Sequence, residues 1–72
     1  MKGLVVAGNY GQFKDFIKGD REYIYVYDIL QIYGHKDCTI NYIGTYYEKF
    51  NGEQLDQIRF YCQTHNIIPH SQ

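Results

Sequence analysis

The chain has no tryptophan, a single proline, only two cysteines and almost no net charge, with 7 Lys+Arg against 8 Asp+Glu in 72 residues. The charge balance excludes a strongly electrostatic binder of nucleic acid or of membrane surfaces. No stretch approaches the roughly 20 apolar residues of a membrane span. The apolar run within the opening MKGLVVAGNYG is too brief for a signal-peptide core. A cytoplasmic location is therefore expected, with Cys38 and Cys62 as free thiols that behave as small core residues. There is also little chain to spare. A domain of roughly 60 residues buries only about 60% of the surface its unfolded chain exposes, which leaves little with which to wall a catalytic cleft.

What the chain does have is tyrosine, 9 of its 72 residues. That is more than so small a core can hold, because each buried hydroxyl needs a hydrogen-bond partner. Several are expected at the surface, where tyrosine gives contact area at low entropic cost and no tryptophan shares the work. The expected exposed set is Tyr23, Tyr25 and Tyr27 on an edge strand, with Tyr46 and Tyr47 in a later loop. Such a surface favours a protein partner or a homodimer. The alternative is that the chain's own helices cover that strand face. Stacking of single-stranded nucleic acid is disfavoured, because that mode needs a basic groove. Lys2, Lys14, Lys18, Arg21, Lys36, Lys49 and Arg59 are instead dispersed and balanced by acids.

Leu4-Val5-Val6-Ala7 followed by Gly8 reads as a strand buried on both faces. Asn9 with Gln12 has capping-box spacing, and Tyr10, Phe13, Phe16 and Ile17 follow at helical intervals until Gly19 stops the helix. Residues 23–27, YIYVY, alternate tyrosines with Ile24 and Val26, which predicts a second strand. Asp28 caps a short segment ending at Gly34, read as a helix. Residues 38–43 form a third strand ending at Gly44. Asn51 and Gln54 repeat the capping-box spacing before a helix carrying Leu55, Ile58, Cys62 and His65 on one stripe, with Asn66 as a left-handed cap and Pro69 preventing continuation. The expected fold is a single small α/β domain over residues 1–72. Its order is β-α-β-(α)-β-α, around a mostly parallel three-stranded sheet that resembles half of a Rossmann-like unit. The second crossover, residues 28–37, is short for a parallel connection.

In a parallel sheet the loops 8–12 and 44–48 open on the same carboxyl edge, where ligands of open α/β sheets bind. Gly8, Asn9, Tyr10 and Gly11 in the first, with Gly44, Thr45, Tyr46 and Tyr47 in the second, form a candidate nucleotide or phosphate site at a helix N-terminus. The loop lacks the third glycine of a dinucleotide fingerprint and the Lys-Ser/Thr of a P-loop, and capped turns explain the same residues. Glu53 and Asp56 in the first turns of the last helix complement its dipole without a catalytic role. No nucleophile-histidine arrangement is present, so no enzyme is expected. His35-x-x-Cys38 and Cys62-x-x-His65 offer a tetrahedral metal set at the opposite edge. The alternative places both cysteines in the core and both histidines in solvent. No cofactor or metal is expected.

The segments VVAGNYGQFKDFI (5–17) and NYIGTYYEKFNGEQLDQI (41–58) together resemble very short phage-encoded α/β proteins that pair a "VAG-x" first strand with a "GT-aromatic-aromatic-E" turn before the last helix. This resemblance covers about half the chain. It implies an accessory protein of the bacterial host cytoplasm that binds and modulates or inhibits a host protein or defence system. The first element is also similar to the opening of nucleotide-sensing Rossmann-like domains, whose strand ends in "AGS". Here Asn9 stands where those have a small hydroxyl residue, and the remainder of such a domain has no counterpart.

Overall fold

The computed structural model describes residues 2–70. Strand β1 (Gly3–Val6) is buried along its whole length because both of its edges are paired. It runs parallel to β2 (Tyr23–Val26), from Gly3 opposite Tyr23 to Val6 opposite Val26. On its other side it runs parallel to β3 (Cys38–Tyr42), from Gly3 opposite Thr39 to Val6 opposite Tyr42. A fourth strand, β4 (Ile67–Pro69), pairs in parallel with β3, so the sheet order is β2-β1-β3-β4.

The fourth strand corrects the three-stranded expectation. Asn66 takes a left-handed conformation (φ 54°) just past the last helix, and its side-chain amide donates to Asp37 Oδ1 at 2.9 Å. Those two features aim Ile67, which is buried, back along β3 beside Cys38. Pro69 ends the segment at the outer edge of the sheet, where its missing N–H faces no neighbour.

Alternation along the strands divides the core in two. Leu4, Val6, Val26 and Ile40 face one side, where they meet Ile32, Phe50, Leu55, Ile58, Cys62 and Ile67. Val5 and Ala7 face the other, under Phe13 with Phe16, Ile17, Tyr23, Tyr25 and Ile43 around them. Helix α1 (Tyr10–Ile17) covers the second face, while α2 (Tyr46–Lys49) and α3 (Gly52–Thr64) belong to the first. Helix α2 is a single turn in what reads in the sequence as a loop. It forms because Phe50, 3% exposed, anchors its end in the core.

The short crossover is fully parallel and contains no α-helix. Ile29–Ile32 form one 3₁₀ turn, capped by Asp28 Oδ1 accepting the Leu30 N–H at 3.0 Å. A 3₁₀ turn rises about 2.0 Å per residue against 1.5 Å for an α-helix, so fewer residues return the chain to the start of β3. Ile32 is completely buried and holds the turn against the sheet.

Candidate functional site

The strand order reverses between β1 and β3: the chain leaves β1 for β2 on one side and returns past it to β3 on the other. The carboxyl ends of those two strands are where an open parallel sheet offers a ligand crevice, and the sequence candidates lie there. Gln12 joins the two loops. Its Oε1 accepts the Gly8 N–H at 2.9 Å and the Thr45 N–H at 3.1 Å, and its Nε2 donates to Thr45 Oγ1 at 3.0 Å.

This arrangement departs from the expected capping box. Asn9 caps α1 as its spacing predicts, its Oδ1 accepting the Gln12 N–H at 2.9 Å. The Gln12 side chain, however, reaches Gly8 and Thr45 rather than the cap residue. Asn51 and Gln54, at identical spacing, do close the reciprocal pair at the start of α3, with bonds of 2.8 and 3.0 Å. The difference lies in what stands opposite. α1 starts at the point where the second loop passes close by, and a Cβ on Gly8 would run into Thr45 Oγ1. Gly44, at φ +58°, lies directly under the Gln12 carboxamide.

The lock has a chemical consequence. Backbone donors at Gly8 and Thr45, which would bind an anion, already donate to a neutral amide oxygen. Asn9 Oδ1 is engaged in capping. Gly11 and Gly44 are both exposed, and Gly44 has the Gln12 carboxamide where a side chain would stand. The remaining candidates are aromatic. Tyr10 is 58% exposed and Tyr47 62%, while Tyr46 is half-buried, tilted against Tyr42 at 5.4 Å and edge-on to Tyr47 at 5.7 Å.

The tyrosines of β2 divide. Tyr23 and Tyr25 are half-buried beneath α1, correcting their placement in an exposed set: Tyr23 meets Phe16 edge-on at 5.6 Å and Tyr25 stacks on Phe13 at 5.1 Å. Burial raises the Tyr25 hydroxyl above its ordinary pKa. Tyr27, beyond the strand end, is 54% exposed and lies 5.6 Å from Tyr25, which is itself 5.8 Å from Tyr10. Tyr10, Tyr25 and Tyr27 therefore make one aromatic cluster on the α1 side of the edge. Tyr42, Tyr46 and Tyr47 make a second beside α2.

The four metal candidates do not assemble. Cys62 is buried, and burial pushes its thiol up to about 11. Cys38 is half-buried and raised by the same cause, with the Asp37 charge adding to it. His65 stacks flat on Tyr61 at 3.8 Å, with Nδ1 2.9 Å from both Thr64 Oγ1 and the Tyr61 carbonyl. His35 is half-buried in the crossover. Among the described residues no three His, Cys, Asp or Glu side chains converge in a metal-holding group, and no helix is long and apolar enough to cross a membrane.

Sequence reasoning missed Gln12 as the centre of this edge, because its spacing to Asn9 gives no sign that it bonds across 33 positions. No protein-family model, curated protein or solved structure matches the chain.

Proposed function

We propose that the chain is a non-enzymatic binding module that engages a protein partner through the aromatic carboxyl edge of its sheet. The observation that supports this is the pair of tyrosine clusters flanking the Gln12 lock, with Tyr10, Tyr27 and Tyr47 each more than half exposed on a base that four hydrogen bonds hold closed. Rigid tyrosines cost little entropy to immobilise and are enriched among the residues that dominate binding energy. The likeness of segments 5–17 and 41–58 to short phage proteins makes a bacterial host protein or defence component the partner of choice, to be modulated or inhibited, in the host cytoplasm. A second copy of the chain is the alternative partner. Strand order and helical cover on both faces are the grounds for reading the fold as a Rossmann-like half. Affinity capture from bacterial lysate tests the function. A protein retained by the wild type and lost on changing Tyr10, Tyr27 and Tyr47 to Ser supports it, and identical partner lists overturn it.

The position of the edge, where strand order reverses, favours a second reading as a nucleotide or phosphate binder. Binding would then require the Gln12 carboxamide to yield its two backbone donors to the ligand. A thermal-shift screen of nucleotides on wild type and Gln12→Ala is the check, since ligand at 100 times its Kd stabilises by about 2.7 kcal/mol. No shift in either protein removes this reading.

A further inference from the structure

Helix α3 carries two stripes. Leu55, Ile58 and Cys62 enter the core. Glu53, Asp56, Gln57 and Phe60 recur at i, i+3, i+4 and i+7 on the outer side. At 3.6 residues per turn Phe60 lies about half a turn around the helix from the buried stripe. It is 69% exposed, the largest exposure among the described large apolar side chains. No packing requirement of this fold accounts for a phenylalanine there.

Beside it, Tyr33 rises from the crossover, half exposed, and meets Tyr61 edge-on at 5.1 Å. Tyr61 is fixed in turn, its hydroxyl accepting the Gly34 N–H at 2.9 Å and its ring stacking on His65. Tyr33, Tyr61 and Phe60 thus wall an open groove of about 670 Å³, with Glu53, Asp56 and Gln57 along it. Both ionised groups in the lining are carboxylates. The Glu53 carboxylate makes no hydrogen bond or ion pair among the described residues. Asp56 meets Arg59, which lies outside the lining, only through a 3.3 Å contact between two well-exposed side chains, a pair that holds neither group strongly.

Aromatic walls with one unpaired carboxylate and one only loosely paired suit one side chain above others. A guanidinium stacks on aromatic faces, is weakly hydrated, and matches a carboxylate with two parallel N–H donors. We propose that this groove docks an arginine-bearing segment of a partner protein, the guanidinium between Glu53 and Asp56 and an adjoining apolar side chain on Phe60. The surface is separate from the carboxyl edge and stands whether or not that edge binds a protein.

The test is a titration of the ¹⁵N-labelled protein, followed by amide chemical shifts, with a capped hexapeptide of alternating arginine and leucine. A second titration uses the same peptide with glutamate replacing arginine. The arginine peptide is expected to give saturable shifts confined to residues 53–61 and Tyr33, weakened by added salt. Affinity should fall at least tenfold in Glu53→Gln/Asp56→Asn and again in Phe60→Ser, all exposed positions at which the fold is retained. Absence of saturable shifts, equal binding of the glutamate peptide, or variants that bind like the wild type would each overturn the proposal.

Discussion

Gln12 and Thr45, 33 positions apart in sequence, share three hydrogen bonds: the Thr45 N–H and hydroxyl donate to Gln12 Oε1 at 3.1 and 3.4 Å, and Gln12 Nε2 donates to Thr45 Oγ1 at 3.0 Å. With the Gly8 N–H on the same oxygen, one carboxamide closes the carboxyl edge of the sheet. Removing it leaves two half-buried backbone donors without their acceptor. Gln12→Ala is expected to lower stability by about 1–3 kcal/mol. Gln12→Glu keeps an oxygen for both donors and should cost less at neutral pH. Urea denaturation of the two variants checks the order.

Gly8 is required by this same contact. A side chain there meets Thr45 Oγ1 and Gln12 Oε1, so Gly8→Ala must part the loops. The expected cost is about 1–3 kcal/mol, as for overpacking elsewhere. Pairing Gly8→Ala with Thr45→Ala, which removes the nearest atom, should recover part of the loss in a double-mutant cycle.

The reciprocal cap of α3 can be separated from the lock. Asn51→Ala removes the acceptor for the Gln54 N–H and should destabilise the fold by about 0.5–2 kcal/mol without disturbing the edge. Amide exchange should then rise in the first turn of α3 and stay unchanged at Gly8 and Thr45.

Alkaline pH should unfold the protein from the inside. Burial holds the Cys62 thiol protonated to about 11 against an ordinary 9.0, and the Tyr42 hydroxyl to about 12 against 10.0. In that interval the unfolded chain has released protons that the folded chain keeps. Stability is therefore full below pH 9 and falls as pH rises through 9 to 12. Denaturation midpoints across this range give the measurement, and Cys62→Ala should flatten the slope at its lower end. Native Cys62 should also resist alkylation at pH 8 and react once the protein is unfolded.

Much of this was legible in the sequence. The doubly buried β1 follows from the run Leu4–Ala7, the two faces of β2 from the alternation of Tyr23 and Tyr25 with Ile24 and Val26, and the turn after α3 from Asn66. Local pattern was silent wherever a distant contact decided the outcome. Three residues ending in Pro69 carry no strand signal of their own, and β4 exists because Asn66 and Asp37 bring Ile67 beside Cys38. Asn9 with Gln12 and Asn51 with Gln54 have the same spacing and different hydrogen bonds, because only Gln12 faces a neighbouring loop. Phe60 did carry a signal: it falls off the stripe of Leu55, Ile58 and Cys62, which marks it as outward-facing.

The central claim is that exposed tyrosines at the carboxyl edge bind a protein. Its most direct measurement is the Kd, by isothermal titration calorimetry, of the purified captured partner for the wild type and for the protein with Tyr10, Tyr27 and Tyr47 changed to Ser. If these residues dominate the interface, losing them weakens binding at least a hundredfold, given about 2 kcal/mol or more for a binding hot spot, with tenfold per 1.4 kcal/mol. An unchanged Kd in a variant whose urea midpoint matches the wild type would contradict the account.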